Sequence, residues 1–138
     1  MTDLASEHQG GSVVSASSYD NDHPPSLIVD GNDHTFWSST GMYPQEFVIK
    51  LGSTSQITRI KTLTTNVKKL VVERCEGVTP VSWEKVYDME IPDTDGRLQV
   101  ESNQVQRITA NFLKFKLTSG WGDFATVHKV SVEGKALR

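Results

Sequence analysis

The sequence has few of the features that mark secreted, membrane-spanning or nucleic-acid-binding proteins. Its 138 residues include a single cysteine, Cys75, so no internal disulfide can form, and it has no Asn-x-Ser/Thr glycosylation acceptor. No apolar run approaches the roughly 20 residues needed to cross a bilayer. Lys and Arg number 14 against 17 Asp and Glu, which gives a formal net charge of −3. These features predict a soluble intracellular protein, with no nucleic-acid partner and no membrane insertion.

Strong helix formers are also scarce. The chain has 5 Ala and 9 Leu, against 34 β-branched residues made up of 15 Val, 6 Ile and 13 Thr. Branching at Cβ restricts χ1 and suits the pleated surface of a sheet. The composition therefore excludes helical bundles and favours an all-β domain.

Eight segments are rich in β-branched residues or alternate between apolar and polar positions, and turn-forming residues separate them. The predicted strands are residues 12–17, 46–51, 56–65, 68–75, 84–90, 97–107, 112–119 and 126–133. Links this short exclude crossover helices, so we predict a single antiparallel jelly-roll β-sandwich over residues 12–138. One helical turn is expected at 23–29, after two prolines. Residues 1–11 lack a periodic apolar pattern, which predicts a flexible N-terminal arm.

No catalytic constellation can be identified. Cys75 ends a strand and has no flanking motif, so it is interpreted as a buried structural thiol. Zinc is not expected, because the four histidines are dispersed and only one cysteine is present. Residues 120–125 match a dinucleotide-binding glycine pattern, but a strand follows where the phosphate needs a helix N-terminus. We therefore predict a non-enzymatic protein with no catalytic residues.

One loop is rich in oxygen ligands. Residues 30–35 place two aspartates, an asparagine and a threonine within six positions. Calcium prefers six to eight oxygen ligands, although this spacing does not match an EF-hand. An Asx-type turn with Gly31 at positive φ explains the same residues, so both interpretations stay open at this point.

The segment that follows contains large apolar side chains. Phe36 and Trp37 adjoin a strand and are interpreted mainly as core residues. Met42 and Tyr43 lie between a glycine and a proline in a loop, where burial is harder to explain. Contact with a partner protein is the alternative for these two.

The motif D-G-N-x-x-T-x-W at residues 30–37 resembles the discoidin, or coagulation-factor C-type, family, whose fold is galactose-binding-like. The His-Pro-Pro sequence at 23–25, the Gly-Met-Tyr-Pro-Gln-Glu-Phe sequence at 41–47 and residues 124–134 narrow this resemblance to the intraflagellar transport members of that family. The resemblance covers residues 12–134 in order, and its two end motifs are the specific part.

The resemblance implies a structural calcium ion. The family's ligands fall on the side chains of Asp30 and Thr35, the backbone carbonyls of Leu27 and Asn32, and Glu133 of the last strand. Glu133 would return from a distant part of the chain to complete the shell. Such an ion would fasten the loop to the last strand.

The resemblance also implies a heterodimer with a Rab-like small GTPase, intraflagellar transport subunit 27, within intraflagellar transport complex B of the cilium or flagellum and the cytoplasm. We expect the contact surface near the calcium end, on Thr40, Met42 and Tyr43, with Trp121 and Phe124 as weaker candidates. The alternative is a carbohydrate- or ligand-binding module of the discoidin type. Trp121, Asp123 and Phe124 could serve such a module, but no arginine adjoins them.

Overall fold

The structure, a computed structural model, describes residues 3–40 and 42–137, so the first two residues of the predicted arm lie outside the described residues. Within these ranges the chain forms seven strands and two 3₁₀ helices, Glu7–Gln9 and Pro25–Val29. The strands are β1 (Ser12–Ala16), β2 (Trp37–Ser38), β3 (Gln45–Thr65), β4 (Val67–Cys75), β5 (Glu84–Glu90), β6 (Gln99–Gly120) and β7 (Thr126–Ala136). Every strand pairing in these ranges is antiparallel, which confirms the predicted all-β class.

Two long strands, β3 and β6, pair with each other along most of their lengths and belong to both layers of the sandwich. In one layer, the first part of β3 pairs with β1 on one side and with the second part of β6 on the other. The second part of β6 also pairs with β4, and β4 pairs with β5. The second part of β3 pairs with the first part of β6 and with β7, and β7 pairs with β2. The result is the predicted jelly-roll sandwich.

The turn-forming residues at 51–53 and 110–111, where the sequence predicts breaks between strands, do not end a strand. β3 and β6 continue through them, with register shifts where the strands pass from one sheet to the other. Gly52 permits this passage, because a Cβ at this position would lie 2.1 Å from the backbone oxygen of Gln9. Four of the eight predicted strands therefore merge into two, β3 and β6, so the eight predictions correspond to six strands of the structure. The seventh strand, β2, was not predicted, because two residues are too few to show alternation.

The core lies between the two layers. Phe47 and Phe115 stack with ring centroids 5.0 Å apart, and Trp37 meets Phe47 edge-on at 5.3 Å. Trp37 is fully buried, which confirms its interpretation as a core residue. Cys75 is a buried free thiol, as predicted, in a second small cluster with Val48 and Phe112. Within the described ranges, no helix is long and apolar enough to span a membrane.

The segment from residue 3 to residue 11 packs against the sandwich, whereas the sequence led us to expect a flexible arm. Leu4 and Ala5 are buried in the core. The Leu4 N–H donates to the Val132 oxygen at 2.9 Å, and the Val132 N–H donates to Asp3 Oδ1 at 2.9 Å. Two apolar residues and two hydrogen bonds thus attach a segment that has no periodic pattern of its own. The predicted helical turn after the prolines is present as the 3₁₀ helix Pro25–Val29.

Candidate functional site

The loop at residues 30–35 gathers oxygens around one hydroxyl. The Thr35 Oγ1 group donates to Asp30 Oδ2 at 2.6 Å and to the Asn32 backbone oxygen at 3.1 Å. Asp30 Oδ1 accepts the Asn32 N–H at 2.9 Å, which is an Asx turn, and Gly31 has φ +79°. The turn interpretation is therefore present in the structure. The same geometry places three of the five predicted ligands together, and their carboxylate, carbonyl and hydroxyl oxygens are of the kind that calcium binds.

The other two predicted ligands are less closely associated with this loop. Leu27 lies in the second 3₁₀ helix, three residues before Asp30. Glu133 pairs with Arg59 in the ladder between β7 and β3, and its side chain is half-buried. Among the described residues, the Glu133 carboxylate makes no hydrogen bond or ion pair. The structure therefore brings Asp30, Asn32 and Thr35 together but shows no contact from Glu133 to them.

Side chains of β7 hold the oxygen-rich loop. His128 Nδ1 lies 2.9 Å from the Asp33 backbone oxygen, and Lys129 Nζ lies 3.5 Å from Asp33 Oδ1. Phe36 is stacked between His23 and His128, with ring centroids 4.0 Å and 4.8 Å away. Sequence analysis missed this three-ring stack, because its members come from three distant segments and no local pattern joins them.

The predicted partner-contact residues Thr40 and Met42 lie at the same end of the sandwich. Thr40 is exposed, and its N–H donates to Ser18 Oγ at 3.2 Å. Met42 is 86% exposed, although its backbone oxygen accepts Gln45 Nε2 at 2.8 Å. Hydrogen bonds thus hold the backbone at Thr40 and at Met42, while the Met42 side chain projects into solvent. An exposed large apolar side chain on a fixed backbone is suited to contact with another protein.

Tyr43 faces inward rather than outward. Its ring lies against Gly120, where an added Cβ would be 2.1 Å from the Tyr43 hydroxyl oxygen. The hydroxyl is buried, with no hydrogen-bond partner among the described residues. Burial raises the pKa of the Tyr43 phenol, and the negative charge of Asp123 raises it further. Tyr43 therefore joins its own loop to the 120–124 loop, so that the two loops lie side by side.

Trp121 and Phe124 complete this end of the molecule. The Trp121 indole N–H donates to the Ile91 oxygen at 2.9 Å, and Lys68 Nζ lies 4.8 Å from the ring centroid. Its ring is therefore engaged by the protein, although 40% of the residue is exposed. Phe124 is 52% exposed, next to Ala125, whose backbone oxygen accepts the Ser39 N–H at 3.0 Å. The structure thus brings the five predicted contact residues to one end, with Met42 and Phe124 projecting most.

Comparison with known proteins identifies the family. The model of the F5/8 type C domain matches residues 13–130. Intraflagellar transport protein 25 of Chlamydomonas reinhardtii is 49% identical over 134 residues, which cover 97% of this chain and 70% of the relative. The chain belongs to the intraflagellar transport protein 25 family. The Homo sapiens intraflagellar transport protein 25 homolog is 38% identical, over 98% of this chain and 94% of the relative.

The solved structures confirm the fold of this intraflagellar transport protein 25 family member. A family 32 carbohydrate-binding module from Clostridium perfringens NanJ, solved in complex with galactose, superposes with a TM-score of 0.80. That comparison covers 95% of this chain and 97% of the module, at 20% identity. At this identity, the likeness concerns the jelly-roll fold alone.

Proposed function

We propose that this protein is a non-enzymatic subunit of intraflagellar transport complex B, acting in the cilium or flagellum and the cytoplasm. In this role it forms a heterodimer with a Rab-like small GTPase, intraflagellar transport subunit 27. Membership of the intraflagellar transport protein 25 family supports a role in intraflagellar transport. The partner would supply all nucleotide chemistry, since the glycine pattern at residues 120–125 leads into strand β7 and not into the helix that a phosphate site needs.

The observation that carries this proposal is the exposed end of the sandwich. Met42 and Phe124 project from two adjacent loops whose backbones are held by hydrogen bonds. Methionine and aromatic side chains are enriched in the cores of protein interfaces, and a rigid backbone loses little entropy on binding. This surface fits a protein partner better than a sugar, because the Trp121 indole is occupied by Ile91 and Lys68.

Substitution of Met42 by arginine tests this surface. We expect Met42→Arg to weaken the heterodimer by at least about tenfold, because a charge would enter a desolvated contact. The measurement is co-purification with the GTPase and titration by calorimetry. Val78→Arg is the matched control, because Val78 is comparably exposed but lies in another loop, beside Thr54 and Phe112. Equal affinity of Met42→Arg and wild type would contradict the placement.

We further propose that the oxygen-rich loop binds one structural calcium ion, through the side chains of Asp30 and Thr35, the carbonyls of Leu27 and Asn32, and Glu133. The support is the convergence of the Asp30, Asn32 and Thr35 oxygens within a single loop. The ion would attract oxygens of this loop and the Glu133 carboxylate, and would so attach the loop to β7. Glu133 would have to turn toward the loop to take part.

Asp30→Ala tests the calcium proposal. Wild-type protein should gain thermal stability with calcium, by about 2.7 kcal/mol when calcium is at 100 times its Kd, and the variant should lose this gain. Asp93→Ala is a suitable control, because Asp93 Oδ1 accepts the Asp95 N–H at 2.9 Å in an Asx turn elsewhere. A wild-type melting temperature that is the same in calcium and in chelator would leave only the turn interpretation.

A further inference from the structure

The second sheet, which contains β7 with the second part of β3 and the first part of β6, has positive side chains on its outer face. Residues 60, 62 and 64 of β3 are buried in the core. Arg59, Lys61 and Leu63 alternate with them and therefore point outward, because successive side chains of a strand point to opposite faces. Lys129 of β7 lies opposite Leu63, and Arg59 Nη1 donates to Ser102 Oγ of β6 at 2.9 Å. Positive side chains thus reach across all three strands.

This outer face carries a charge opposite to that of the whole chain. Its four cations are Arg59, Lys61, Lys129 and Lys135. Two carboxylates accompany them, Glu133 within the face and Asp33 at its rim, so four positive charges minus two negative charges leave +2, on a chain whose net charge is −3. Lys129 Nζ lies 3.5 Å from Asp33 Oδ1, but the other three cations form no ion pair within residues 3–40 and 42–137. Most of the positive charge is therefore unpaired there.

A shallow hollow opens on the same face. Leu63 and Val100 lie opposite each other in the ladder between β3 and β6 and form its apolar side, while Lys61, Lys129 and Ser131 line the rest. Val100 is 62% exposed, so solvent reaches the hollow. Its volume of about 180 Å³ has room for one aliphatic side chain, since a water molecule takes about 30 Å³. We call this surface the basic face, and its members are Arg59, Lys61, Leu63, Val100, Lys129 and Lys135.

Solubility alone does not explain the basic face. A solvated sheet face needs charged residues, but it does not need one sign of charge. The outer face of the first sheet mixes the two signs: Lys114 Nζ lies 3.6 Å from Glu46 Oε2, and Lys116 Nζ lies 3.7 Å from Glu73 Oε1. The excess of one sign on the second sheet is instead suited to a partner of opposite charge.

We propose that the basic face docks an acidic segment of a partner protein, with carboxylates beside Arg59, Lys61 and Lys135 and one aliphatic side chain in the hollow. Charge complementarity of this kind guides association and fixes the orientation of the partner. An anionic membrane is a poorer match, because Leu63 and Val100 line a recess that can receive a side chain and do not form a projection that could enter the lipid. The basic face includes none of the proposed GTPase-contact residues, so the two surfaces are tested independently.

The probe is the peptide acetyl-Glu-Glu-Glu-Leu-Glu-Glu-Glu-amide. Extended at about 3.3 Å per residue, it spans the roughly 20 Å between positions 129 and 135 of β7. We expect saturable shifts in an NMR titration, concentrated on the backbone amides of residues 59–63, 100–102 and 129–135. The same peptide with glutamine in place of glutamate should produce no saturable shift. Vesicles of phosphatidylcholine and phosphatidylserine should not bind the protein in a flotation assay, and binding to these vesicles without binding to the peptide would overturn the proposal.

Lys61→Glu tests the contribution of charge. It should weaken binding of the leucine-containing acidic peptide by about fivefold, because one exposed ion pair is lost and a repulsion replaces it. Lys69→Glu is the matched control, because Lys69 is also an exposed strand lysine but lies on β4 of the first sheet. It makes the same change in net charge and should bind the peptide as wild type does. Equal losses in the two variants would show attraction to net charge alone and would overturn the proposal.

Val100→Ser tests the hollow, because attraction by the cations alone would not change in this variant. It should weaken binding of the leucine-containing peptide by about threefold, since part of the apolar contact is lost. A peptide with alanine in place of leucine should bind Val100→Ser and wild type equally. Absence of saturation in wild type overturns the proposal, and so does unchanged affinity of Val100→Ser for the leucine-containing peptide.

Discussion

Replacement of Thr62 and Thr64 by valine, singly and together, measures what the buried hydroxyls cost the fold. Each side chain is almost fully buried and each hydroxyl lacks a partner among the described residues. Valine replaces the hydroxyl with a methyl group of nearly equal size, so no cavity is created, and both residues favour strands. An unpartnered buried hydroxyl costs about 1–3 kcal/mol. We therefore expect each variant to gain about 1 kcal/mol in the free energy of unfolding.

For a domain of this length, such a gain corresponds to a rise of about 3 °C in the melting temperature. Differential scanning calorimetry without any ligand is the appropriate assay. Thr65→Val on the same strand is the control, because the Thr65 and Thr126 hydroxyls bond each other, and this variant should lose about 1 kcal/mol. A fall in the melting temperature of both Thr62→Val and Thr64→Val would show that their hydroxyls are satisfied within the fold and would refute the reasoning.

Two further predictions concern the N-terminal segment and alkaline stability. Gly52→Ala should lower the free energy of unfolding by about 1–3 kcal/mol, because the added Cβ would meet the Gln9 backbone oxygen. It should also increase proteolysis within residues 3–11. Urea denaturation measures the first effect and limited proteolysis the second. Burial raises the pKa of Tyr87 to about 12 in the folded protein, against about 10 in the unfolded chain, so the unfolded chain loses its proton first as pH rises. The free energy of unfolding should therefore fall between pH 10 and 12 by up to about 1.4 kcal/mol per pH unit. Urea titrations at several pH values measure this fall, and Tyr87→Phe should reduce it. The same pH dependence in Tyr87→Phe and wild type would contradict the prediction.

The part of the fold that follows from local pattern could be predicted from the sequence. Alternation at residues 112–119 and 126–133 predicted strands that the structure contains, and the composition predicted the all-β class. The continuity of β3 through Gly52 could not be predicted, because glycine ends strands more often than it carries one between two sheets. The burial of Leu4 and Ala5 could not be predicted either, because the segment is held by Val132, which lies at the other end of the chain.

In the candidate site too, residues close in sequence could be predicted, and contacts between distant parts of the chain could not. The oxygen-rich loop could be found because Asp30, Asn32 and Thr35 are close in sequence, and the structure gathers their oxygens around one hydroxyl. Glu133 entered only through family resemblance, and its contact with the loop stays a prediction. Exposure of Met42 could be expected from its position in a loop, whereas the inward orientation of Tyr43 depends on Gly120, which lies far along the chain.

Thr62 and Thr64 show why threonine is a poor guide to side-chain burial in a β-rich sequence. Its β-branched side chain satisfies a strand position whether the hydroxyl points to water or into the core, so residues 62–65 are read as a strand either way. Only the ladder shows that Thr62 and Thr64 point inward and that Glu101 and Gln99 lie opposite them. Valine at both positions would keep the strand and the packing while removing the unpartnered hydroxyls. The cost of retaining threonine is therefore specific to the hydroxyl.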